Sequence, residues 1–191
     1  MVEKYGTDAL RFSLMAQTMG GRDIPFSEDA IVGGRNFVNK LYNAARFLQM
    51  YLPETPAPVK ADKPAELADR WITERYAEAL RRSQAAMAEY DLPKAQDALY
   101  SFVWDEFCDW YLELAKPRLQ GPDKDRVLAH ALELFTGALK ALHPFMPYVT
   151  EELYSSLKGY LPEPGGYLLN ERWPAIPEAG PGATAAMQEL M

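Results

Sequence analysis

Leu67, Trp71, Ile72, Tyr76, Leu80, Met87 and Tyr90 recur mostly at four- and seven-residue steps. Residues so spaced share one face of a helix but scatter over both faces of a strand, so the stretch predicts an amphipathic helix of roughly six turns. An apolar stripe of that length demands partners with stripes of their own. The chain supplies them. Ser27 reads as an N-cap with Glu28 and Asp29 in the first turn, opening a helix that passes Gly33-Gly34 and runs to about Leu52, before Pro53. Lys94 to Lys116 follows the tight turn Asp91-Leu92-Pro93 and stops at Pro117 and Gly121-Pro122. Asp123 to Leu142 carries Val127, Leu128, Ala131, Leu132, Phe135 and Leu139 at helical spacing until His143-Pro144-Phe145-Met146-Pro147 breaks it.

Shorter pieces complete the outline. Thr7 or Asp8 caps a helix reaching about Thr18, stopped by Gly20-Gly21, and Asp23-Ile24-Pro25-Phe26 reads as extended. Four prolines at 53, 56, 58 and 64 mark a surface linker. A short helix starts near Thr150 and reaches about Lys158; beyond it come a brief extended piece, Leu168 to Trp173, and a Pro/Gly/Ala-rich tail. Four or five long helices with short connections describe an all-α, antiparallel helix bundle. No repeat of about 20 to 50 residues suggests a solenoid.

The segment Phe102-Val103-Trp104-Asp105-Glu106-Phe107-Cys108-Asp109-Trp110-Tyr111-Leu112-Glu113 packs rings and carboxylates together without a Gly or Pro. On a wheel of about 100° per residue, Leu99, Val103, Phe107, Trp110 and Leu114 fall on one side, and Asp105, Glu106, Asp109 and Glu113 on another. Trp104, Cys108 and Tyr111 form a third strip. The acidic edge is either the wet side of a core helix or a face left for a ligand.

Composition narrows the function. With 191 residues, 48% hydrophobic and 25% charged, the chain is long enough for one good core, and no apolar run approaches the roughly 18 residues a membrane span needs. A net charge of −7 argues against coating nucleic acid, DNA included, through its phosphates, but leaves room for a local base-reading surface. Cys108 is a lone cysteine and no basic-then-apolar segment opens the chain, so a cytoplasmic setting is expected. His130, His143 and Cys108 lack zinc spacing; no metal site is expected. His143-Pro144 reads as a helix-ending turn with a satisfied histidine rather than a ligand. No nucleophile, base and orienter stand together and no Gly-rich phosphate loop occurs, so no residue is assigned a catalytic role.

The sharper signal lies between residues 35 and 47. Arg35, Asn39, Tyr42, Asn43 and Arg46 fall within about 100° of one another on the wheel, opposite Phe37, Val38, Leu41, Ala45, Leu48 and Leu52. Amides and guanidinium groups reach the edges of unpaired bases, and Arg also stacks or binds phosphate, whereas a merely soluble face is richer in Glu and Lys. The alternative is a polar network between helices built from the same amides. Phe47, at the margin of both stripes, is either one more core ring or a platform for a stacked base. Asp105 and Asp109, one turn apart, could accept from the amino group of a cytosine.

Three segments, Arg35 to Phe47, Val103 to Leu114, and His143-Pro144-Phe145-Met146-Pro147-Tyr148-Val149-Thr150-Glu151-Glu152-Leu153-Tyr154, together resemble the C-terminal anticodon-binding region of class I aminoacyl-tRNA synthetases. The third is shared by the valine, isoleucine and leucine enzymes; the Trp-Asp-Glu-Phe-Cys-Asp-Trp-Tyr-Leu-Glu run is what points to the valine branch. Glu3 to Phe12 resembles the family segment that follows the Lys-Met-Ser-Lys-Ser catalytic loop. Neither that loop nor the His-Ile-Gly-His signature is in this sequence, so the resemblance implies a piece of a parent enzyme, beginning past the catalytic loop, with Met1 an internal methionine, and stopping about where a coiled-coil arm would start.

The resemblance implies residues 1–27 in a small mixed α/β stem-contact fold, residues 28–158 in the helix bundle that reads the anticodon, and residues 159–191 in an extended tail leading toward the arm. Valine anticodons share A and C at their second and third positions. By analogy with the family, Arg46 and Phe47 contact the middle adenine, the ring by stacking, Asp105 and Asp109 lie near the terminal cytosine, and Asn39, Asn43 and Arg35 are their neighbours. The partners implied are the anticodon stem-loop of valine tRNA and the rest of the parent. The parent uses ATP and magnesium; this chain needs no cofactor of its own. Two other readings stand: a structural module bracing the catalytic body, and the same domain of the isoleucine enzyme.

Overall fold

The computed structural model describes residues 1–18, 27–59, 66–163, 165–178, 180 and 182–190. These are helical with no β-strand among them, in the order α1 (Val2–Tyr5), α2 (Thr7–Ala16), α3 (Glu28–Gln49), α4 (Leu67–Ala88), α5 (Leu92–Ser101), a π-helix (Phe102–Tyr111), α6 (Leu112–Ala115), α7 (Lys124–Leu142), α8 (Pro147–Leu157) and α9 (Ala183–Gln188). The all-helical expectation holds, with boundaries shifted by a few residues. Contacts across the core give the directions. Tyr76 meets Phe102 and Asp69 meets Tyr111, so α4 runs against the α5–π–α6 rod. Phe107 stacks on Phe135 and Tyr111 stands edge-on to His130, so α7 also runs against it. Phe37 meets Tyr100 and Lys40 meets Asp109, so α3 lies parallel to the rod.

Ser27 caps α3 by accepting the Ala30 N–H at 3.4 Å. Ile31, Phe37, Leu41, Ala44, Ala45 and Leu48 form its buried stripe. Gly34 is required by a close approach: a Cβ there would stand 2.6 Å from the Ala9 carbonyl oxygen on α2. Gly137 plays the same part for α4 and α7, since its Cβ would meet the Tyr76 hydroxyl at 2.1 Å.

The rod from α5 to α6 departs most from expectation. The Leu112 N–H bonds the Phe107 carbonyl five residues back, the closure of a π-helix, which is wider than the α-helix of roughly 3.6 residues per turn. Ala95, Leu99, Val103, Phe107, Tyr111, Ala115 and Leu119 are each at most 1% exposed, an inward line at every fourth residue. On a pure α-helix that line would drift about 40° per step. The wheel therefore misplaced three side chains: Trp110 and Leu114, expected inside, are 42% and 37% exposed, while Tyr111 is fully buried.

Other corrections concern helix ends. Asp8 does not cap its own helix, where Gly6 holds the N-cap position. Its buried carboxylate instead accepts from the Val149 N–H at 2.6 Å and the Tyr148 N–H at 3.4 Å, capping α8. That helix starts at Pro147 rather than near Thr150, because proline suits a first-turn position whose N–H has no partner to lose. The mixed α/β element expected over residues 1–27 is helical over residues 1–18; the Gly20-Gly21 stop and the extended Asp23–Phe26 piece lie outside the described residues. Phe12 packs at 5.1 Å on Phe37, inside the bundle's own core. In the proline-rich stretch, residues 53–58 are exposed and the Val59 N–H bonds the Tyr160 carbonyl; Pro64 lies outside the described residues.

The C-terminal segment is not simply extended. Leu168–Asn170 form a tight helical turn, and α9 lays Ala183 and Met187 against α4. Glu74 accepts from the Ala183 N–H at 2.9 Å, the Thr184 N–H at 2.7 Å and the Thr184 hydroxyl at 2.6 Å. Composition hid this helix because its cap comes from a residue 109 positions earlier.

Candidate nucleic-acid interface

On α3 the stripe opposite the core carries Arg35, Asn39, Asn43 and Arg46, all exposed. Of the polar side chains from 35 to 46, Lys40 alone has a side-chain partner among the described residues. The amides therefore do not form the interhelical network that was the alternative reading. Phe47 is half-buried: Tyr51 meets it edge-on at 5.3 Å between ring centroids, and Lys116 Nζ stands 5.9 Å from its centre. One face of the ring belongs to the core, as the bland reading had it, and the residue keeps partial exposure.

Lys40 joins α3 to the π-helix. Its ammonium pairs with the Asp109 carboxylate and sits 4.9 Å from the centre of the Trp104 ring, which stacks on Tyr100 at 5.5 Å. A cation over an indole and against a carboxylate is held from two sides. Asp105 and Asp109 are both exposed, as the acidic-edge reading requires, but they are not equivalent. Asp109 is committed to Lys40. Partial burial and the negative charges of Asp109 and Asp97 push the Asp105 carboxyl above its ordinary value, with Lys40 opposing, and Asp105 has no hydrogen-bond partner among the described residues.

Two cross-contacts, Lys40 to Asp109 and Phe47 to Lys116, thus align the rod with α3. Seven residues separate them on each strand of the pair, about 10 Å along α3. The structure brings Asn39, Asn43, Arg46 and Phe47 along one helix beside the helix that carries Asp105 and Asp109, and Arg35 lies at the far end of the same stripe. The sequence reading singled out neither Lys40, Trp104 nor Lys116. A lysine one turn from Asn36 on a helix flanked by aromatic partners was the only available signal for the first.

A buried polar cluster underlies the rod and was missed altogether. Asp69, 2% exposed, receives a two-pronged Arg118 guanidinium at 2.9 and 2.8 Å and the Tyr111 hydroxyl at 3.0 Å. Burial opposes its ionisation, but the Arg118 bonds and charge outweigh it and hold the carboxyl below its ordinary value. His130 Nε2 lies 3.1 Å from the Thr73 hydroxyl, and burial lowers the imidazole's pKa. The signal was legible: Asp69 falls in phase with Ile72, Tyr76 and Leu80 on the apolar stripe of α4.

His143 is satisfied, its Nδ1 2.8 Å from the Thr150 hydroxyl, as its reading as a turn residue anticipated. Burial pushes the Cys108 thiol up to about 12, which leaves it unreactive near neutral pH. Among the described residues no group of three or more His, Cys, Asp or Glu side chains gathers as a metal site would. No described helix is long and apolar enough to cross a membrane.

Residues 69–191 match the family described as the anticodon-binding domain of tRNA ligase. Among curated relatives, the valine–tRNA ligase of Symbiobacterium thermophilum is 44% identical over 161 residues, 82% of this chain and 18% of the relative. Those of Carboxydothermus hydrogenoformans and Geobacter sulfurreducens are 40% and 41% identical over the whole chain and 22% of their own lengths. The chain thus spans about a fifth of the length of the relatives it matches. A LeuRS from Agrobacterium radiobacter, solved as a ternary complex with tRNA and LeuAMS, superposes with a TM-score of 0.63 at 20% identity over 92% of this chain and 20% of its own, a likeness of fold. The chain belongs to the family of anticodon-binding domains of tRNA ligases.

Proposed function

We propose that this chain reads the anticodon of valine tRNA as part of a valine–tRNA ligase, whose ATP- and magnesium-dependent chemistry and editing reside outside these residues. The observation that carries the proposal is the Asn39–Asn43–Arg46 stripe, exposed and unpaired by described residues, alongside an acidic helix. Relatives at 40 to 48% identity named as valine–tRNA ligases favour that branch over the isoleucine enzyme.

In this reading Arg46 and Phe47 contact the middle adenine, and Asp105, the carboxylate not already engaged by Lys40, accepts from the amino group of the terminal cytosine, with Asp109 beside it. Asn39, Asn43 and Arg35 flank the loop. Residues 1–27 join a mixed α/β stem-contact element completed by other parts of the parent, residues 28–158 form the reading bundle, and residues 159–191 lead toward a further arm. The parent works in the cytoplasm.

The test is binding of an anticodon stem-loop carrying A and C at the second and third positions, compared with a loop in which those two bases are exchanged. The chain prefers the first loop. Phe47→Ala or Arg46→Ala costs about 1 to 3 kcal/mol of that recognition, the range for one stacked base or one bidentate contact. Equal binding of the two loops overturns the assignment.

A further inference from the structure

The π-helix poses a question of register. Long π segments are rare, because the wide turn is poorer than the α-helical one, so something specific must hold Phe102–Tyr111 in it. On an α-helix, Trp110 returns to within about 20° of Leu99 and Tyr111 stands about 120° away. The α register would thus seat Trp110 in the core and turn Tyr111 out. The structure has the reverse.

What favours the observed register lies on α4. Asp69 accepts the Tyr111 hydroxyl and both prongs of Arg118, so two residues seven apart converge on one buried carboxylate. Tyr111 reaches it only when turned inward. A carboxylate this deeply buried is tolerated when such partners surround it, so losing Tyr111 from the seat would penalise the α register heavily. The register also has an outward consequence. Exchanging Tyr111 for Trp110 in the seat rotates the following segment by about 100°, one residue's worth, and carries Asp109 away from Lys40 and Lys116 away from Phe47. Those are the two contacts that align the rod with α3.

We infer that Asp69 is a positioning residue for the candidate interface: through Tyr111 and Arg118 it selects the π register of Phe102–Tyr111 and so aligns Asp105 and Asp109 with the Arg/Asn face of α3. The inference rests on the anticodon-reading function proposed above. It assigns to a buried residue, out of reach of RNA, control over how two recognition elements face their ligand.

The experiment labels the 191-residue chain with fluorotryptophan and follows the Trp110 fluorine resonance, assigned with Trp110→Phe, whose shift between light and heavy water reads that ring's exposure. The same samples are titrated with the matched and exchanged anticodon loops. Asp69→Asn is expected to shield Trp110 and reduce discrimination between the loops about tenfold, and Tyr111→Phe to do both to a lesser degree, about threefold. A core variant matched in melting loss, such as Leu128→Ala, leaves both readouts at their original values, which separates positioning from general destabilisation. If Asp69→Asn does not fold, Tyr111→Phe, which removes a single oxygen, decides. Unchanged Trp110 exposure and unchanged discrimination in a folded variant overturn the inference. Failure of the unmodified chain to discriminate the loops overturns the proposed function instead, while the fluorine readout still reports on the register.

Discussion

At Asp105, the cost of an unpaired acid and its use coincide. Its carboxyl is raised by burial and by neighbouring acids, so folding favours the protonated form, and ionisation costs stability above the folded pKa but nothing below the ordinary one. Asp105→Asn is therefore expected to raise the melting temperature at neutral pH, with the gain vanishing as the solution is acidified, and at the same time to weaken discrimination for cytosine in the loop-binding assay. A variant that melts lower at neutral pH would contradict the repulsion. Residue types and exposure were legible here from the helical wheel of α3, because four polar positions on a regular helix need only the period to be right. The pairing of Asp109 with Lys40 was not, since it depends on which helix lies alongside.

Helices sharpen the same contrast. Adjacent glycines in α3 make opposite predictions. A Cβ at Gly33 meets nothing within 4 Å, so Gly33→Ala should stabilise by about 0.5 to 1 kcal/mol through helix propensity alone. Gly34→Ala gains the same propensity but drives into the Ala9 carbonyl, and denaturation midpoints should show a net loss. For α9 the relevant group is Glu74. Burial raises its carboxyl, but the bonds from Thr184 and Ala183 outweigh this and lower it overall. The docking it contributes is present above the ordinary carboxylate range and is lost as pH falls through the lower folded value. Hydrogen exchange over residues 183–188 should accelerate in acid before that of the bundle, and Glu74→Ala should reproduce the effect at neutral pH, at a cost of about 1 kcal/mol. Long helices were readable from their stripes. The π-helix was misread because an assumed period of 3.6 was imposed on it, although the sequence carries the correction: apolar or small residues at every fourth position from Ala95 to Leu119 signal an under-wound rod, as a shifted hydrophobic period does in coiled coils.

For the whole molecule, what the sequence could not disclose was its long-range caps. Asp8 on α8 and Glu74 on α9 are acidic residues that local rules assign to their own helices, and only the packed bundle shows whose N–H groups they satisfy. Asp8→Ala should therefore lower the melting temperature of the whole bundle, by about 1 to 2 kcal/mol, in one cooperative transition, with α2 and α8 losing protection from exchange together. Independent melting of the first eighteen residues would show that they are only an appendage. The same bond sets a timetable. Val149 lies 141 residues after Asp8, so at about 5 to 20 residues per second a ribosome needs roughly 7 to 28 s to deliver the partner of that carboxylate. During that interval α2 rests on α3 with an acid at its surface and α8 does not yet exist. The first helices must wait, solvated and unlocked, for the last third of the chain to close them.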